Sequence, residues 1–157
     1  MGERVVINTG PLIALHRNGA SEIVGRLPYE FICPEEVRSE LDAGALLGYS
    51  PVEPPWLTAC AVAHLSPLVL SSIDSAEAAV LRLALDQGIA RICIDDWKGR
   101  KAALSVGLEV FGVLGLLGRA KALGLIPAVR PWVERAVQEG IRYHPKLVHR
   151  VLEAIGE

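Results

Sequence analysis

Acidic and amide side chains recur in this chain at the points where a parallel α/β fold would bring them together. Asn8 and Thr9 follow the β-branched run Val5-Val6-Ile7. Glu36 and Glu40 stand one helical turn apart, beside the apolar Val37 and Leu41. Asp74 and Glu77 open a helical stretch, and Asp95-Asp96 close the apolar run that ends at Ile94. In open α/β sheets, ligands bind beyond the carboxyl ends of the strands, so all of these residues can reach one end of such a sheet. Carboxylates gathered in one place repel each other unless a cation sits among them. Oxygen-only ligands suit Mg²⁺ or Mn²⁺. Lys98, Arg100 and Lys101 follow the Asp95-Asp96 pair directly. An acidic, metal-binding centre with a basic rim suits a phosphodiester backbone.

Each of these residues also has a purely structural reading. Asp74-Ser75-Ala76-Glu77 has the form of a capping box. Asp96, and Asn8 or Thr9, are good N-caps for the helices that follow them. Glu36 and Glu40 fit a solvated helix face, and Lys98, Arg100 and Lys101 an exposed one. Caps explain the residues singly; they do not explain why acids follow so many separate strands.

The elements that must position these residues alternate. Strands are expected at Arg4 to Asn8, Glu30 to Cys33, Ala90 to Asp95 and Glu109 to Phe111, with an edge strand at Leu57 to Ala63. Helices are expected at Pro11 to Arg17, Ala20 to Leu27, from Pro34 to a stop at Gly44, Ser75 to Gln87, Trp97 to Val106 and from Gly112 to Leu123. Two more helices, near Pro131–Glu139 and Pro145–Ile155, close the chain. Residues 45–56 hold Gly48, Pro51, Pro54 and Pro55 and read as a loop. Ser66 to Ile73 fits helix or strand equally. Glycine stops at Gly88, Gly107 and Gly124 repeat an α-then-β rhythm that points to a doubly wound parallel sheet in one domain, residues 1–157.

Composition excludes several classes of function. The chain has 157 residues, 51% of them apolar and 22% charged, which suits a folded core and not a disordered chain. A net charge of −2 excludes blanket nucleic-acid binding, so any such contact is local. Cys33, Cys60 and Cys93 form no C-x-x-C pair, and His16, His64, His144 and His149 have no metal-binding spacing. Gly112-x-x-Gly115-x-x-Gly118 matches neither dinucleotide nor P-loop spacing. No apolar run is long enough to span a membrane, and no leader is visible, so a cytoplasmic location is expected.

Taken in order, the motifs resemble those of PIN-domain proteins, and more narrowly the branch related to VapC toxins. Asn8-Thr9-Gly10-Pro11-Leu12-Ile13 resembles the family's opening Asp-Thr-Ser-Pro-Leu-Ile. Cys33-Pro34-Glu35-Glu36-Val37-Arg38-Ser39-Glu40-Leu41 is similar to its second motif, and Asp74-Ser75-Ala76-Glu77-Ala78-Ala79 to its Asp-Pro-Gly-Glu-Ala-Glu segment. Ile94-Asp95-Asp96 resembles its Asp-Asp strand end, and Gly112-Val113-Leu114-Gly115 its Gly-Thr-Leu-Gly. The resemblance covers nearly the whole chain. It implies a three-layer α/β/α sandwich around a central, mostly parallel sheet of about five strands, and Mg²⁺- or Mn²⁺-dependent cleavage of RNA. It carries the catalytic acids over to Glu40, Glu77, Asp95 and Asp96, with Asn8 as a fifth metal ligand, Thr9 in support and Lys98, Arg100 and Lys101 on the RNA. It also implies a homodimer and a small antitoxin partner.

Three departures from that pattern lie close together. Asn8 stands where the family has an aspartate, Gly10 where it has a serine, and Val113 where it has a threonine or serine. Each removes charge or polarity from the implied centre. Two functions are therefore expected to compete: an active metal-dependent endoribonuclease, with the resemblance to the VapC branch implying the toxin of a toxin–antitoxin pair, and a PIN-like module that binds RNA or protein without turnover. A receiver domain also clusters acids beyond a parallel sheet, but here the acidic pair follows the wrong strand for it.

Overall fold

The computed structural model describes residues 2–62 and 75–157. The ambiguous Ser66 to Ile73 segment and Asp74 lie outside them. Five strands form one sheet: β1 (Glu3–Ile7), β2 (Tyr29–Pro34), β3 (Leu57–Cys60), β4 (Arg91–Cys93) and β5 (Glu109–Phe111), in the order β3-β2-β1-β4-β5. Every pairing is parallel. The helices are α1 (Thr9–Arg17), α2 (Ser21–Val24), α3 (Glu35–Leu46), α4 (Ser75–Asp86), α5 (Trp97–Ser105), α6 (Val113–Ala122), α7 (Arg130–Gln138) and α8 (Pro145–Ala154).

Parallel strands covered on both faces read as continuous apolar runs. Val5, Val6, Ile7, Ile32, Cys33, Ile92 and Cys93 accordingly all lie in the core. Helix α4 packs across β1, β2 and β4, flanked by α3 and α5; α1, α2 and α6 pack on one another, with α8 against α6. The result is the expected three-layer α/β/α sandwich. Burial pushes the Cys33 thiol up to about 11 and that of Cys93 further, so both behave as small core residues and not as reactive thiols.

Chain order reverses at β1 and β4: β2 and β3 continue to one side, β4 and β5 to the other. Such a switch point opens a crevice beyond the carboxyl ends of the two strands. Asn8 emerges from β1 and Ile94-Asp95-Asp96 from β4 at that place. The register holds them side by side, because Ile7 pairs with Cys93 and the Asn8 N–H donates to the Cys93 carbonyl at 3.0 Å. At the opposite end of the sheet, Arg91 bridges Glu3 at 3.2 Å and Glu109 at 3.0 Å, tying β1, β4 and β5 together.

Two helix boundaries differ from the sequence expectation. Helix α3 does not stop at Gly44; it runs through that residue to Leu46. Gly48, at φ 96°, ends it instead. The Tyr49 N–H donates to the Gly44 carbonyl and the Gly48 N–H to that of Ala45, a Schellman closure in which Gly44 supplies an acceptor. The expected Ala20 to Leu27 helix shrinks to Ser21–Val24. Trp56 lies against Gly25, where a Cβ would come within 2.3 Å of the indole, and its ring N–H donates to the Ser21 carbonyl at 2.9 Å. Beyond Gly25 the chain continues in tighter turns, Arg26 to Ile23 and Leu27 to Val24.

Helix α4 carries Glu77 toward the crevice and is held by Val80, Leu81, Leu83 and Ala84, all buried. Leu81→Ala should therefore cost about 2–5 kcal/mol in urea unfolding followed by circular dichroism. A cost below about 1 kcal/mol would mean that α4 is not packed as described.

Candidate active site

Asn8 occupies the N-cap position of α1, yet its side chain makes no capping hydrogen bond. It is buried, and its Oδ1 has no hydrogen-bond partner among the described residues; nor does the buried Oγ1 of Thr9. An unpartnered buried oxygen costs about 1–3 kcal/mol, so two adjacent ones at a strand end need an explanation. The capping reading of Asn8 and Thr9 does not supply it.

The two aspartates after β4 divide their roles. Asp96 caps α5, its Oδ2 accepting the Gly99 N–H at 3.1 Å. Asp95 turns the other way, and its Oδ1 accepts the Val113 N–H at 3.1 Å across the start of α6. Asp95 is exposed, with its carboxyl turned toward the start of α6. Desolvation raises its pKa, opposed by the Val113 N–H and by the nearby Arg100 guanidinium.

Gly112 makes this contact possible. A Cβ there would lie 2.2 Å from Asp95 Oδ1 and 3.2 Å from an Arg100 nitrogen. Gly112 has φ −109°, ψ −168°, extended backbone open to any residue, so space and not conformation demands the glycine. Val113 is fully buried and contributes its backbone N–H, so the missing hydroxyl at that position leaves the bond to Asp95 intact. At Gly10 a Cβ would meet nothing within 4 Å, so glycine there answers no steric need.

Glu77 is buried on the first turn of α4. A Cβ on Gly99 would lie 3.5 Å from its carboxyl carbon, which puts Glu77 beside the first turn of α5, where Asp96 caps. Its capping partner in the sequence pattern, Asp74, is outside the described residues. Glu40 stands apart from this group. It is exposed on α3, in the wall of a cavity of about 230 Å³ shared with Ile13, His16 and Arg17 of α1. Among the described residues no three His, Cys, Asp or Glu side chains are arranged to hold a metal ion. The oxygens carried at these strand and helix ends, on Asn8, Thr9, Glu77 and Asp95, mix amide, hydroxyl and carboxylate. They fit a hard divalent cation held by few protein ligands and completed by water.

Of the basic residues expected on a nucleic acid, Lys98 and Lys101 are exposed. Arg100 is half-buried and folds back, donating to the Ile94 carbonyl at 3.2 Å beside Asp95. Tyr143, between α7 and α8, was not among the expected site residues. Its hydroxyl is buried without a partner among the described residues, and its pKa is raised by burial and then by the charge of Asp95. Nothing local in sequence links positions 95 and 143.

A PIN-domain family model matches residues 4–157. The chain belongs to the PIN-domain family. No characterised protein matches it in sequence. Membership makes the crevice between β1 and β4 part of a nuclease-type domain, and gives the acids there a common context. Among the described residues of this PIN domain, no helix is long and apolar enough to cross a membrane.

Two outcomes follow for the PIN-domain cleft. Gly112→Ala should break the Asp95–Val113 contact and lower stability by about 1–3 kcal/mol in chemical denaturation; an unchanged midpoint would show that Asp95 is not held there. Ionised Asp95 is disfavoured in the fold, so the folded chain binds its proton more readily than the unfolded chain. Stability contributed by this group therefore falls as pH rises from the ordinary aspartate value of 3.8 through the raised one. Asp95→Asn, which keeps an oxygen for Val113, should raise the Tm at pH 7 in differential scanning calorimetry. A lower Tm would mean that the charge stabilises the fold.

Proposed function

We propose that this PIN domain is a metal-dependent endoribonuclease whose cation is held weakly, at the crevice beyond β1 and β4. The buried Oδ1 of Asn8 carries the reading, because Asn8 lies next to the end of β4 and that oxygen has no hydrogen-bond partner among the described residues. Asn8, Glu77 and Asp95 would hold Mg²⁺ or Mn²⁺, with Thr9 and Asp96 supporting; Glu40, in the wall of the α1–α3 cavity, stands apart from them. A divalent cation there would supply an activated water and positive charge against the phosphate. Arg100 adds positive charge beside Asp95, and Lys98 and Lys101 contact the RNA backbone from the first turns of α5.

Asparagine in place of an acid lowers the negative charge that draws a cation in. It keeps an oxygen, and water completes the coordination of Mg²⁺. A second reading, a PIN module that binds RNA or protein without turnover, gains support from that same residue. A role as the toxin of a toxin–antitoxin pair, acting as a homodimer in the cytoplasm and inhibited by a small partner, follows from the resemblance to the VapC branch.

Cleavage of a labelled RNA by rigorously purified protein in Mn²⁺ tests the proposal. Wild type should cut, and Glu77→Gln should lose at least about a hundredfold in rate, the scale of losing a positioned charged group. Equal cleavage by Glu77→Gln would assign the activity to a contaminant or to another site. Absence of wild-type cleavage at every divalent ion would favour the binding module.

A further inference from the structure

The last helix carries a charge pattern that the crevice does not use. Residues 141–152 hold Arg142, Lys146 and Arg150 and no acid, in a chain whose net charge is −2. All three are exposed, and among the described residues none of their side chains makes a hydrogen bond or an ion pair. Other arginines are matched: Arg38 pairs with Asp42, Arg82 with Asp86, and Arg91 with Glu3 and Glu109. The acid of α8, Glu153, lies beyond the stretch and faces His149 at 3.5 Å. Helix electrostatics disfavours this placement. Lys146 stands in the first turn of α8, at the positive end of the helix dipole, with no acid in that turn to offset it. Arg150 follows four residues later on the same side of the helix, where like charges repel. Arg142 adds a third positive charge just ahead of the helix. A face kept only for solubility intersperses its signs. Positive charge gathered against these preferences suits a polyanion.

The fold sets this stretch beside the crevice. The end of α8 is tied to the end of α6, because Lys121 Nζ donates to the Ile155 carbonyl at 2.8 Å and to Glu157 at 3.1 Å. The start of α6 holds Asp95 through the Val113 N–H. Tyr143, just ahead of α8, is near enough to Asp95 for that charge to raise its pKa. Helix α8 therefore begins on the Asp95 side and runs away from it along α6. Tyr143 buries its hydroxyl, while Arg142 and His144 on either side of it are exposed. We infer that Arg142, Lys146 and Arg150 form a second contact track for a phosphodiester backbone, outside the crevice, which holds an RNA strand where it leaves the cleft. Such contacts position a strand without reading its sequence. The inference rests on the proposed function only in that the crevice takes RNA. It requires neither metal nor turnover.

Binding in EDTA tests the track apart from cleavage. Fluorescein-labelled single-stranded oligoribonucleotides of about 5 and about 20 nucleotides, the shorter for the crevice alone, are titrated by anisotropy at several salt concentrations. Wild type should bind the longer strand more tightly. Arg142→Gln/Lys146→Gln/Arg150→Gln should bind it at least about tenfold more weakly at low salt, and the slope of log K against log salt should become shallower by about 2, as expected for three lost phosphate contacts on a single strand. Its affinity for the shorter strand should stay within about threefold of wild type. Arg142→Lys/Arg150→Lys keeps the charges and should match wild type on both strands. Arg26→Gln/Arg119→Gln, at exposed residues before β2 and in the last turn of α6, should leave the slope unchanged. An unchanged slope in the triple variant overturns the inference, as does an equal loss on the shorter strand, or wild type that binds no RNA. Polyglutamate that displaces the longer strand as well as unlabelled RNA of equal charge also overturns it and assigns the patch to an acidic protein. A protein that binds RNA through α8 and never cleaves leaves the inference standing and removes the nuclease reading. Cleavage by wild type with unchanged binding by the triple variant does the reverse.

Discussion

The contact between Asp95 Oδ1 and the Val113 N–H, at 3.1 Å, joins the end of β4 to the beginning of α6, and much of the crevice depends on it. It fixes a carboxylate where the chain order of the sheet reverses. It also demands that the residue before Val113 have no side chain, since a Cβ on Gly112 would lie 2.2 Å from that oxygen. Arg100 is folded in beside the same pair. A helix start, a glycine, an arginine and a strand end are thus arranged around one acid.

The neighbouring residues make sense around that acid. Asp96 satisfies the exposed amides at the start of α5, which leaves Asp95 for the cleft. Asn8 could have capped α1 and does not; its oxygen is buried, without a hydrogen-bond partner among the described residues. With asparagine at this position, Glu77 and Asp95 face less negative charge than a third acid would bring; in the proposed metal site this would ease folding and weaken the hold on a cation.

The sheet was legible because its strands are apolar runs separated by glycine stops, and Gly88, Gly107 and Gly124 all take the left-handed backbone that ends a helix. Gly44 misled because a glycine inside a helix costs only about 1 kcal/mol, which α3 offsets by continuing to a proper closure at Gly48. The short α2 was illegible because its limit is set by Trp56, far along the chain. The acids at the strand ends could be found by position alone, but not their separate tasks: which of Asp95 and Asp96 caps and which faces the cleft depends on α6, a later element. Tyr143 and the Glu157 carboxylate, which accepts the backbone N–H groups of Val129 and Arg130 at the start of α7, act across distances that no local pattern carries.

Calorimetric titration with Mn²⁺, wild type beside Asn8→Asp, tests the central claim most directly. The account predicts saturable one-site binding by wild type, strengthened at least about tenfold by the added charge in Asn8→Asp, a gain of about 1.4 kcal/mol. Binding by neither protein would contradict it: Asn8, Glu77 and Asp95 would then form no metal site, and their places at the strand ends would need another cause.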